Sequence, residues 1–193
     1  MKNFYIIICF LFISNVLKSQ NILNLRQQAK VIDEIQKDRL ENLLPKLMKL
    51  HDVEMWVLIT REYNEDPVVK TFLPPTWLNA RRRTIIVFSL KDGIFKSAAI
   101  TRYPFGKLIP SLWNKEKEPN QWKALSNYIE AQNPKNIAVN TSENYALADG
   151  LVRTDFDNLI NVLPKKLTSK IISPISIPAF SPEDFFSTST TSS

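Results

Sequence analysis

The chain has 193 residues, of which 44% are hydrophobic, 10% aromatic and 23% charged, which indicates one globular domain with a substantial core rather than a disordered chain. A formal net charge of +6 favours anionic partners weakly but does not identify a nucleic-acid binder. The single cysteine, Cys9, lies in a predicted leader, so we expect a mature chain without disulfides, cysteine catalysis or thiolate metal sites.

Residues 1–19 have the pattern of a secretory signal peptide. Lys2 supplies the positive start, residues 4–13 are apolar, and the small Ser19 precedes Gln20 at a plausible cleavage point. The apolar run is shorter than the roughly 20 residues that span a bilayer, which favours cleavage over a permanent anchor. We therefore expect export to the periplasm or outside the cell, with no membrane association after cleavage. Loss of Lys2 and Lys18 with the leader lowers the formal charge by two, to +4.

An amphipathic helix is predicted over residues 24–50, where leucines and isoleucines recur at helical spacing. Pro45 is expected to kink this helix or to start a new one. The only histidine, His51, follows the helix and is interpreted as a C-terminal cap rather than a metal ligand.

Strands and helices are predicted to alternate through the rest of the chain, which indicates an α/β fold with a mixed sheet flanked by helices. Asn64 is predicted to cap a short helix, and Asp92-Gly93 is typical of a hairpin turn. The predicted elements are strand 55–60, helix 65–72, strand 84–90, strand 94–101, helix 119–131, strand 137–140, helix 144–162 and strand 171–172.

A charged segment separates the first two predicted strands and holds the strongest basic cluster, Arg81–Arg83. If this cluster enters a strand, Arg81 and Arg83 share one face and Arg82 the other. Phosphate contact is one interpretation. The favoured interpretation is that these arginines form ion pairs with the nearby acids Glu62, Glu65 and Asp66.

Four stretches of this sequence carry a resemblance to a known family: WVLITREYNEDP at 56–67, LPPTWLNARRRTIIVF at 73–88, NPKNIAVN at 133–140 and YALADGL at 145–151. They closely resemble the N-terminal domain of bacterial Xaa-Pro aminopeptidase-like proteins, members of the creatinase/prolidase ("pita-bread") metallopeptidase family. The resemblance covers roughly residues 24–172. It implies a creatinase-type N-terminal domain with a ribonuclease H-like fold, which we place at residues 20–172.

The resemblance implies that members of this family have a separate C-terminal catalytic domain. In that domain two aspartates, one histidine and two glutamates hold two divalent metals that activate water. None of those positions exists in this chain, so no catalytic residue, metal ligand or cofactor is carried over. The N-terminal domain of such enzymes supports oligomerisation and helps to wall the active-site entrance of a neighbouring subunit. The residues expected at such an interface or substrate entrance are Arg61, Asn64, Asp66, Trp77, Arg81, Arg82 and Arg83.

From Ser173 the sequence becomes rich in proline and serine and ends in STSTTSS, so residues 173–193 are predicted to be a disordered, low-complexity tail. The leading hypothesis is a non-catalytic N-terminal domain of a truncated or split aminopeptidase-like protein. Its expected partner is a metallopeptidase domain or another copy of itself. One alternative is a fragment of a full-length metal-dependent aminopeptidase. The other is a basic nucleic-acid-binding module, although the leader argues against nucleic acid as a partner.

Overall fold

The computed structural model describes residues 22–174. The predicted leader lies outside this range, and so does the predicted tail except for Ser173 and Pro174. Ser173 donates a hydrogen bond from its hydroxyl to the carbonyl of Thr141, and Pro174 is buried.

A five-stranded mixed sheet forms the centre of the α/β domain, in the order β3-β2-β1-β4-β5. Antiparallel pairing joins β1 to β2 and β2 to β3, whereas β4 runs parallel to both β1 and β5. The strands are β1 (Met55–Arg61), β2 (Arg83–Lys91), β3 (Ile94–Ala99), β4 (Ile137–Val139) and β5 (Ile171–Ile172). The predicted α/β class with a mixed sheet and flanking helices is confirmed at this level.

Apolar side chains cover both faces of the sheet because the central strands have hydrophobic residues at nearly every position. Trp56 and Leu58 of β1 point into one core, and Val57 and Ile59 point into the other. Helices cover both faces, so both cores are closed from water. They are α1 (Leu25–Asp38), α2 (Leu44–Leu50), α3 (Pro67–Lys70), α4 (Gln121–Gln132), α5 (Arg153–Val162) and α6 (Lys165–Thr168).

The predicted helix over residues 24–50 is one continuous but irregular rod. Asn24 caps α1 through a reciprocal capping box with Gln27. A π-helical turn at Arg39–Leu43 joins α1 to α2. Pro45 has no N–H to donate to the preceding turn, which accounts for the widened turn before it. His51 lies at the C-cap of α2, as predicted.

The hairpin between β2 and β3 turns at Asp92 and Gly93, which have φ angles of 52° and 76°. Two successive left-handed residues are what a tight hairpin turn with the twist of its strands requires. The turn predicted from Asp92-Gly93 is therefore confirmed.

Three sequence predictions of helix boundaries are wrong. The helix expected at 65–72 spans only Pro67–Lys70, and its cap is Asp66 and not Asn64. The helix expected at 119–131 begins at Gln121, after the cap Asn120. The helix expected at 144–162 begins only at Arg153. A short 3-10 turn at Ala146–Ala148 precedes it.

No helix within residues 22–174 is long and apolar enough to span a membrane.

Candidate functional site

Three strand ends meet at one edge of the sheet and create an open cleft of about 760 Å³. The end of β1, the start of β2 and the segment after β3 provide its walls. Its charged lining consists of five arginines and one glutamate: Arg61, Arg81, Arg82, Arg83, Arg102 and Glu62. Its aromatic lining consists of Tyr63, Trp77, Tyr103 and Trp113. We call this site the arginine cleft.

Arg61 and Arg83 lie directly opposite each other in the antiparallel pairing of β1 with β2. Two like charges at such a position repel each other, so the sheet edge needs a counterion. Asp155 of α5 supplies it. Its two carboxylate oxygens accept hydrogen bonds from Nε and Nη2 of Arg61 at 2.7 and 2.8 Å, and Oδ1 lies 3.3 Å from Nε of Arg83.

The position of Asp155 explains how one carboxylate serves two guanidinium groups. It lies in the first turn of α5, where the helix dipole favours negative charge. Its side chain is fully buried, whereas the side chains of Arg61 and Arg83 are 38% and 30% exposed. Hydrogen bonding to Asp155 also raises the pKa of Arg61, against the opposing effect of burial. Asp155 therefore fixes the guanidinium groups of Arg61 and Arg83 in the cleft wall, and both groups stay partly open to solvent.

The second contact of Arg83 is aromatic. Its guanidinium carbon lies 4.7 Å from the ring centroid of Trp122, at cation–π distance. The neighbouring Gln121 donates from Nε2 to the carbonyls of Arg83 and Ile100, at 3.2 and 2.6 Å. The start of α4 thus holds the start of β2 and the segment after β3 together in the wall of the cleft.

Arg81 and Arg82 precede β2 and lie on the rim of the cleft. The guanidinium carbon of Arg81 is 4.6 Å from the ring centroid of Trp77, and the Trp77 ring meets Phe105 edge-on with centroids 5.3 Å apart. Arg82 has a left-handed backbone with φ of 50°, so the alternation of faces expected for a strand through this triplet does not hold.

The acids expected to pair with the arginine triplet bind backbone groups. Glu62 Oε2 accepts the N–H of Arg82 at 3.0 Å, and the N–H of Glu62 donates to the carbonyl of Arg82 at 2.6 Å. Glu65 Oε1 accepts the N–H groups of Tyr63 and Ala80 at 3.0 and 3.1 Å. These carboxylates shape the loops, while Asp155, which the sequence did not single out, is the counterion of Arg61 and Arg83.

Asp66 lies behind the cleft, buried in a separate polar network. Its Oδ1 accepts the N–H groups of Val68 and Val69 as the cap of α3, and its Oδ2 accepts Nδ2 of Asn140 at 2.8 Å. Asn140 Oδ1 in turn accepts the indole N–H of Trp56 at 2.8 Å. Burial raises the pKa of Asp66, and the hydrogen bonds from Asn140, Val69 and Val68 oppose this rise.

The structure therefore brings together five of the seven residues expected at an interface or substrate entrance: Arg61, Trp77, Arg81, Arg82 and Arg83. Asn64 is exposed in the turn after β1 but does not line the cleft, and Asp66 is buried away from it. Arg102, Trp113 and Asp155 were not predicted at this site because they come from distant segments. Only the pairing of β1 with β2 shows that Arg61 faces Arg83 and that the two share a counterion.

Within the described part of the chain, no group of three or more histidine, cysteine, aspartate or glutamate side chains is arranged to hold a metal ion. Comparison with protein-family models, curated proteins and solved structures finds no match to this chain.

Proposed function

We propose that this chain is a creatinase-type N-terminal domain that has no peptidase activity of its own and serves a metallopeptidase by packing against its catalytic domain or by pairing with another copy. The resemblance in four sequence stretches supports this proposal. So does the mixed sheet with helices on both faces, which is the architecture that the resemblance implies.

The arginine cleft is the observation that carries the proposal. Residues from the two longest resembling stretches converge there on one open surface. Arginine side chains beside partly buried tryptophans in a concave site are typical of protein interface centres.

The non-catalytic part of the proposal is tested with the purified full chain. We expect no cleavage of Xaa-Pro dipeptides in the presence of Mn²⁺, Co²⁺ or Zn²⁺. Metal-dependent release of the first residue, abolished by a chelator, would contradict this part of the proposal.

The interface part needs a defined partner. The genomic DNA after codon 193 is read in all three frames for a domain with two aspartates, one histidine and two glutamates, and that domain is purified for mixing. We expect either a mixed complex or self-association in sedimentation velocity. A chain that stays monomeric alone and does not bind the catalytic domain would contradict the interface role.

A charge-reversed variant at the cleft, Arg81→Glu with Arg102→Glu, is the matched test of location. The control is Lys30→Glu with Lys96→Glu, which makes the same charge change at exposed lysines that do not line the cleft. Complex formation should be lost in the first variant and kept in the second.

A further inference from the structure

We propose that the arginine cleft binds an acidic polypeptide segment, rich in aspartate or glutamate, on the surface of the partner metallopeptidase domain. This rests on the proposed function for the identity of the partner and adds the chemistry by which the partner is recognised.

The charge balance of the cleft is the first argument. Five arginines line it, and Asp155 neutralises only part of the charge of Arg61 and Arg83. Among residues 22–174, no carboxylate forms an ion pair with Arg81, Arg82 or Arg102. These three exposed guanidinium groups concentrate positive charge where a partner can reach it, so a partner of opposite charge is favoured.

The stacking of Arg81 on Trp77 is the second argument. A guanidinium group that lies over a ring keeps its charge and its N–H donors while the contact holds it in place. The stack limits the rotation of the side chain, so less conformational entropy is lost when a carboxylate binds. A carboxylate matches the fork of a guanidinium with two parallel hydrogen bonds. Arg61 already binds Asp155 in this two-point manner within the same cleft.

The same stacking disfavours single-stranded nucleic acid as the occupant. Proteins that bind single strands provide open aromatic faces for the bases. Arg81 covers one face of Trp77, and Phe105 meets that ring edge-on, so the tryptophan beside the rim arginines is not an open platform. The exposed aromatic rings of the lining are those of Tyr63 and Tyr103. Glu62 adds a negative charge to the lining, which a chain of phosphates would avoid.

The test measures binding of capped hexaglutamate to the full chain by isothermal titration calorimetry, with capped hexaglutamine as the uncharged control. Hexaglutamate should bind, hexaglutamine should not, and added salt should weaken binding. Arg81→Gln with Arg102→Gln should weaken hexaglutamate binding about tenfold or more, because the variant removes two guanidinium groups that would form charge-assisted hydrogen bonds with the carboxylates. Lys30→Gln with Lys96→Gln, the matched control, should leave the affinity within about twofold.

The thermal unfolding of each variant is compared with that of the wild-type chain, so that a folding defect is recognised. If the cleft variant unfolds, Arg102→Lys, which keeps the charge but loses the planar fork, takes its place, and a smaller loss of affinity in the same direction is expected.

Several outcomes would overturn the inference. They are no binding of hexaglutamate, equal binding by the cleft variant, or tighter binding of oligothymidylate that depends on the same arginines. A higher affinity for hexaglutamate in Glu183→Gln with Asp184→Gln would assign the cleft to the chain's own carboxyl-terminal segment and would also overturn it.

Because the peptide experiment contains no partner domain, the two proposals fail separately. Hexaglutamate binding without any complex contradicts the proposed function. A complex that the Arg81→Gln and Arg102→Gln variant forms with unchanged affinity contradicts the inference and leaves the proposed function intact.

Discussion

Two buried carboxylates lie near the same edge of the sheet, and their surroundings differ. Asp66 is 1% exposed and receives hydrogen bonds only from neutral groups, the backbone of Val68 and Val69 and the amide of Asn140. Asp155 is fully buried and faces two guanidinium groups, Arg61 and Arg83.

The comparison shows that hydrogen bonds can orient a buried carboxylate without compensating its charge. Neutral donors orient the carboxylate of Asp66 but do not balance its charge, so burial still raises its pKa. The donors to Asp155 carry charge, and the ion pair leaves both guanidinium groups partly exposed. Asp66 therefore belongs to the interior of the fold, whereas Asp155 organises a surface.

Replacing Asp155 by alanine should have the largest effect on stability. This change leaves two cross-strand guanidinium groups without their counterion. We expect a loss of about 3 kcal/mol in the free energy of unfolding. This value is at the low end for breaking a buried ion pair, because both arginines reach solvent. Urea unfolding measures it. Asp157→Ala is the control, since its ion pair with Arg153 is exposed and should contribute about 0.5 kcal/mol. An equal loss of unfolding free energy in Asp155→Ala and Asp157→Ala would contradict the distinction between the buried and the exposed ion pair.

Gly150→Ala should have the next largest effect, through the network of Asp66. An ideal Cβ on Gly150 would lie 2.0 Å from Oδ2 and 2.9 Å from Cα of Asp66. Relieving this overlap requires the backbone to move, so we expect a loss of about 2 kcal/mol in the free energy of unfolding. Gly93→Ala is the control, because its Cβ would meet nothing within 4 Å and only its positive φ costs about 1 kcal/mol. A smaller loss at Gly150 than at Gly93 would show that the network is loosely packed.

The raised pKa of Asp66 predicts a pH dependence opposite to ordinary acid unfolding. The folded state holds the proton of Asp66 more tightly than the unfolded state, so protonation at low pH stabilises the fold. As the pH rises from the ordinary value of 3.8 through the raised pKa, this contribution is lost. The unfolding free energy of the wild-type chain minus that of Asp66→Asn should therefore fall across this window.

Denaturant unfolding at a series of pH values measures this difference. Asp92→Asn is the control, at an exposed turn residue whose left-handed backbone suits asparagine. A difference for Asp66→Asn that rises with pH would contradict the assignment of neutral donors to this carboxylate.

Arg81→Gln should have the smallest effect on stability. Its stacking on Trp77 is exposed, and such a contact contributes about 0.5 kcal/mol. Urea unfolding should therefore barely change, while binding of acidic peptide weakens. A loss of stability as large as that of Asp155→Ala would mean that Arg81 supports the fold rather than a partner.

Local patterns in the sequence predicted the sheet well because they arise from neighbouring residues. Continuous apolar runs located β1 and β2, and Asp92-Gly93 located the turn between β2 and β3. The helix predicted at 144–162 forms only from Arg153 onward, and its first half is absent for a tertiary reason. Gly150 packs against Asp66, and the N–H of Leu151 donates to the carbonyl of Asn140, so this segment follows the core and not its own helical propensity.

The cleft could be predicted only in part. The arginines next to β1 and β2 were visible as a cluster, but Asp155 lies 94 residues after Arg61 and is followed closely by a second aspartate, Asp157. Nothing in the sequence distinguishes the buried acid from the exposed one. The docking of α5 onto the sheet determines that Asp155 is buried and Asp157 is not.

That long separation also sets the order in which the site is completed as the chain is made. The hairpins of β1, β2 and β3 use nearby residues and have their partners by the time Ala99 is synthesised. Arg61 and Arg83 then face each other without a counterion until α5 emerges and folds back. The arginine cleft is therefore among the last features that a growing chain acquires, and a product that ended before Asp155 would carry the arginines without the carboxylate that orders them.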